Sequence, residues 1–99
     1  MKSKMEIKHQ KDQESGTFFI EINGTREAEM TYRYINTNTI DINHTEVNDA
    51  LKGEGVGSKL VEAAVKFLRE NNLKAVASCS YVSHVFDKKQ EMYKDIISG

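Results

Sequence analysis

Two alternating runs joined at Asn23-Gly24 narrow the folding options of this chain more than any other stretch. In "TFFIEI", Thr17 to Ile22, the residues Phe18, Ile20 and Ile22 share one side. In "TREAEMTYRYI", Ala28, Met30, Tyr32 and Tyr34 alternate with Glu27, Glu29, Thr31 and Arg33. A period of two sends successive side chains to opposite faces, so both runs read as strands, the second with one wet and one buried face. Asn-Gly accepts the positive φ angles of a tight hairpin turn, so the second strand returns antiparallel to the first.

The rest of the chain fits around that hairpin. A short strand near Met5 to His9 precedes it, separated by the polar link "QKDQESG". After a turn at "NTN", the run "TIDINHTEV" alternates Ile40 and Ile42 with Asp41 and Asn43 and forms a fourth strand. From Val56 the apolar positions Leu60, Ala63, Ala64, Phe67 and Leu68 recur at three and four, which is a helix with one face for the sheet; Asn71-Asn72 ends it. "LKAVASCS" is a fifth strand, and "YVSHVFDKKQEMYKDII" a helical tail in two pieces. The order implies an α+β fold: a four-strand antiparallel meander closed by one crossover unit.

With 99 residues the expectation is one domain, residues 1–99, around a single core. Lys and Arg number 14 against 15 Asp and Glu, which removes the strong positive field of a nucleic-acid binder and favours a small neutral-to-acidic ligand or a peptide. No apolar run approaches the roughly 20 residues of a membrane span, and "MKSKMEIKHQ" lacks the apolar centre of a signal peptide. A cytoplasmic protein is expected. The lone Cys79 agrees with a reducing compartment. His9, His44 and His84 show no ligand spacing, so no metal is expected.

Glycines at 53, 55 and 57 strip side chains from the backbone just before the helix, with Ser58 and Lys59 beside them. A helix N-terminus offers unpaired N–H donors and partial positive charge, and bare backbone lets a phosphate reach them. Neither a Walker loop nor a dinucleotide fingerprint has this spacing. A flexible turn with no ligand remains the plain alternative.

Placed after a four-strand meander, Lys52-Gly53-Glu54-Gly55-Val56-Gly57 resembles the coenzyme A loop of the GNAT superfamily of acyl-coenzyme A-dependent N-acetyltransferases. The motif there runs Gln or Arg, two residues, Gly, one residue, Gly or Ala; Lys52 departs at the first position but keeps the charge. The stretch from Ile40 through "SCSYV" to "KKQEMYKDI" looks like the small single-domain GNAT-like proteins, in which a cysteine follows the fifth strand. The first three strands match in pattern alone. The resemblance implies acetyl-coenzyme A as acyl donor, its pyrophosphate on the amides of Lys52, Gly53, Gly55, Gly57 and Ser58. It also implies a pantetheine arm along Glu46 and Val47, passing between the fourth and fifth strands near Cys79.

Cys79 then has three readings: a small core residue, a nucleophile that relays the acetyl group, or an inert part of the thioester pocket. For direct transfer, Glu46 and His44, two apart on one strand face, are the candidate bases, against the plain readings of a solvated carboxylate and a structural histidine beside Ile40 and Ile42. The family's leaving-group tyrosine, in "FY", corresponds to Val85-Phe86, so that hydroxyl is missing. Tyr81, Tyr93 or His84 are substitutes, although a tyrosine with its ring in the core is the commoner situation. "QKDQESG" also leaves no room for the helices that build much of the acceptor site in larger relatives. That implies an open acceptor side, suited to an amine of unknown identity, including one on a protein or peptide. The competing functions are a non-catalytic coenzyme A-binding or protein-interaction module, and a purely structural domain.

Overall fold

The computed structural model describes residues 6–98. Five strands form one sheet in chain order: β1 (Lys8–Lys11), β2 (Ser15–Ile22), β3 (Thr25–Asn36), β4 (Thr39–Val47) and β5 (Lys74–Ala77). The first four are antiparallel neighbours, and β5 runs parallel to β4 after a crossover through helix α1 (Val56–Glu70). The chain closes with α2 (Ser80–Lys88) and the single turn α3 (Gln90–Tyr93). The expected α+β order, including the two-piece tail, is the observed one. The expected first strand began near Met5, which lies outside the described residues; within them β1 continues to Lys11.

Asn23 and Gly24 both take positive φ, 53° and 82°, as the β2–β3 hairpin requires. Asn72, also at positive φ, terminates α1 one residue after its C-cap. Helix α1 buries Val56, Leu60, Val61, Ala64, Val65 and Leu68 against the inward residues of the sheet, among them Ile20, Met30, Tyr32, Ile40 and Ile42. Val82, Val85, Phe86, Tyr93 and Ile96 join the same cluster. Apolar burial on this side, at about 25 cal/mol per Å², is the main force holding helices to sheet. The sheet's other side carries Glu27, Glu29, Thr31, Arg33, Asp41 and Asn43, none of them buried.

Three departures from the sequence expectation shape the site. First, "LKAVASCS" is a strand over only Lys74–Ala77; Ser78 leaves it and Cys79 is the N-cap of α2. Second, "NDALKGEG" contains a 3₁₀ turn at Asp49–Leu51, whose Leu51 is buried. Third, the β3–β4 register slips, with Tyr32 opposite Ile42 but Thr31 opposite His44. Asn43 is the extra residue, and a bulge of this kind reverses which side later residues face. His44 therefore does not stand beside Ile40 and Ile42; it shares the uncovered side with Glu29, at 3.8 Å.

Candidate functional site

The loop leading into α1 is built for backbone exposure. Gly53 and Gly55 sit at φ 84° and 69°, left-handed angles that L side chains rarely adopt, and a Cβ on either would meet open space. Gly55 is the helix N-cap and makes no side-chain capping bond. Lys52 N–H is taken by Asp49 O at 3.2 Å and Lys59 N–H by Gly55 O at 3.1 Å, while the amides of Gly53 to Ser58 between them make no backbone hydrogen bond among the described residues. The first turn holds no acidic side chain. Lys52, nearby, pairs with Asp49 at 3.1 Å on the surface. This donor set, with positive charge beside it and no Cβ in the way, fits a pyrophosphate.

Gly57 has a different role. A Cβ there would lie 2.6 Å from the Tyr81 hydroxyl, so this glycine makes room for the tyrosine ring. Tyr81 is 40% exposed. With Thr45, Val47, Leu51, Lys52, Gly53, Gly55, Val56 and Gly57 it lines a groove of about 360 Å³ at the start of α1.

The groove adjoins the place where β4 and β5 part. Their pairing stops at Ile42 opposite Ala77, and Cys79 N–H makes a last bond to Ile42 O at 3.0 Å. Beyond it β4 runs on to Val47 with no strand on that edge among the described residues. In this gap the half-buried Cys79 thiol donates to Thr45 Oγ1 at 3.5 Å. Thr45 thus links the cysteine to the groove.

The bulge separates the remaining candidates. Val47, Lys52, Gly53, Gly55 and Gly57 come together in the groove, whereas Ser58, also on the first turn of α1, is half-buried and outside its lining. Glu46 and His44 lie on the uncovered side of the sheet, 3.5 Å apart, with Glu29 as a third member. The ligand-type atoms of these three all fall within 4.8 Å of one another. Histidine spacing does not reveal this group, because Glu29 arrives from β3. Among the tyrosines weighed from sequence, Tyr93 is buried at 4% exposure against Phe86, while Tyr81 reaches the groove. His84 is exposed on α2. Thr45, not singled out from the sequence, is placed by the Asn43 bulge.

A family model described as GCN5-related N-acetyl-transferase matches residues 17–96. The chain belongs to that family. Protein NATD1 of Xenopus tropicalis is 36% identical over 81 residues, covering 81% of this chain and 72% of the relative. The human protein NATD1 is 35% identical over 77 residues, covering 77% and 68%. A GCN5-like protein from Staphylococcus aureus, solved by solution NMR, is 43% identical with a TM-score of 0.76 over 99% of this chain and 92% of that one. Tetrahymena GCN5 superposes with a TM-score of 0.62 over 80% of this chain and 51% of its own, at 15% identity, a likeness of fold. Within this GCN5-related family the present chain is a small member, with the loop Asp12–Glu14 between β1 and β2.

Proposed function

We propose that this chain is an acetyl-coenzyme A-dependent N-acetyltransferase with a donor side and an acceptor side separated by the sheet. The observation that carries this reading is the groove, with the unbonded amides of the Gly53–Ser58 loop beside it, Lys52 in its lining, and a path through Thr45 to Cys79 in the β4–β5 gap. The loop amides bind the pyrophosphate, and the free edge of β4 at Glu46 and Val47 pairs with the pantetheine amides. The thioester then lies beside Cys79, where both sides of the sheet meet.

In direct transfer the acceptor amine approaches from the uncovered side, and Glu46, with His44 beside it, takes the amine proton. The nitrogen forms a bond to the acetyl carbon, the carbon–sulfur bond breaks, and Tyr81 gives the departing thiolate its proton. In the relay form the Cys79 thiolate takes the acetyl group first, releasing the coenzyme thiol, and the amine then displaces the cysteine. The acceptor is an amine that the open side admits, including one on a protein or peptide.

A second reading, coenzyme binding without turnover, draws on Phe86. It stands where the family's leaving-group tyrosine belongs, is 5% exposed, and has no hydroxyl.

Calorimetric titration with acetyl-coenzyme A, followed by intact mass of the same sample, tests these readings. Binding that disappears in Gly55→Val supports the donor site; wild-type affinity in that variant refutes it. An added mass of about 42 Da, absent in Cys79→Ala, selects the relay. Binding with no release of free thiol across a panel of amines selects the passive module.

A further inference from the structure

Asp41 stands on β4 opposite Val76, on the uncovered side of the sheet, and forms no salt bridge among the described residues. An aspartate in mid-strand is disfavoured unless its carboxylate does something local. Here Oδ1 accepts the Ser78 N–H at 2.9 Å and lies 3.0 Å from Ser78 Oγ, while Oδ2 lies 2.9 Å from the same hydroxyl. With one hydroxyl proton to share, the carboxylate makes two charge-assisted bonds at a time. Ser78 is the residue between the end of β5 and Cys79. The bonds that follow are Cys79 N–H to Ile42 O, Cys79 Sγ to Thr45 Oγ1, and Ser83 N–H to Cys79 O, which opens α2.

We infer that Asp41 is a positioning residue. Through Ser78 it holds the junction of β5 and α2 against β4, and so keeps the Cys79 thiol beside Thr45 at the narrow end of the gap. Its bearing on acyl transfer rests on the function proposed above; the clamp does not.

The rate at which iodoacetamide alkylates Cys79, the single cysteine of the 99-residue chain, reads the clamp directly. At fixed pH, Asp41→Ala raises the rate by about threefold or more, because the thiol loses its fixed place and its cover. Asp41→Asn keeps an acceptor for the Ser78 N–H and returns the rate close to wild type. Val76→Ala trims the cross-strand neighbour without touching the clamp and leaves the rate unchanged. A wild-type rate in Asp41→Ala overturns the inference, and so does an equal rise in Val76→Ala, which signals general loosening. If Asp41→Ala fails to fold, Asp41→Val, which suits a strand and accepts no hydrogen bond, takes its place: a raised rate supports the clamp and an unchanged one overturns it. Alkylation needs no coenzyme, so a wild-type chain that fails to bind acetyl-coenzyme A refutes the acyl-transfer reading and leaves this test intact.

Discussion

Gly55 and Gly57 are both glycines of one loop, yet substitution should affect them for different reasons. At Gly55 any Cβ meets empty space, but the left-handed backbone penalises it by about 1–2 kcal/mol, which denaturant unfolding of Gly55→Ala will register. At Gly57 the backbone tolerates alanine and the Tyr81 ring does not. Gly57→Ala should therefore displace the ring, with acetyl-coenzyme A affinity falling more than stability; calorimetry beside a thermal melt separates the two. Tyr81→Phe keeps the ring and removes the hydroxyl. If Tyr81 protonates the leaving thiolate, thiol release should fall roughly 10²-fold or more at little change in coenzyme affinity.

β1 is a short strand with no buried residue; besides its ladder with β2, His9 ties it to the core. The imidazole stacks on Phe18 with centroids 4.0 Å apart, meets the edge of Phe67, and shares a 2.7 Å hydrogen bond with the buried Tyr32 hydroxyl. Burial, with the charge of Lys11 added, holds the His9 pKa below its ordinary 6.5. The unfolded chain thus takes up this proton at higher pH than the folded one. Stability is full above the ordinary value and falls as pH drops through it toward the depressed folded value. Unfolding free energies between about pH 7 and pH 5 should show that slope, and His9→Phe should flatten it while costing about 1 kcal/mol at neutral pH for the stranded Tyr32 hydroxyl. None of this was visible in "MEIKHQ". Alternation and Asn-Gly reveal β2, β3 and the hairpin because those signals are local. His9 acquires its partners from β2, β3 and α1, and β4 looked unbroken because a bulge leaves no mark in composition. The glycine loop was legible for the same local reason, whereas the face carrying Glu46 and His44 depended on a register that only pairing with β3 defines.

Across the molecule, the C-terminal segment finishes what the sheet begins. Ala75 bridges Ile97, with Ala75 N–H bonded to Ile96 O and Ser98 N–H to Ala75 O, so the outer edge of β5 is capped. Arg69 ties this segment to α1 through Asp95 and the Met92 carbonyl, and its guanidinium holds the Asp95 carboxyl below the usual carboxylate range. That contribution exists above the ordinary aspartate pKa and fades as acid protonates the group. Arg69→Ala should accelerate hydrogen exchange at the Ser98 amide by about tenfold and leave the amides of the β2–β3 pairing unchanged.

Asn43 gives this small sheet an odd–even arithmetic. Up to Ile42 even-numbered residues of β4 belong to the core; from Thr45 onward odd-numbered ones do. Were β4 to keep Asn43 but alternate without the bulge, the carboxylate of Glu46 and the imidazole of His44 would turn toward the helices and Thr45 and Val47 to the opposite surface; removing Asn43 would straighten the strand and leave all four facing as they do. The proposed donor and acceptor sides are thus set by one residue that the chain contains and the pairing with β3 leaves out.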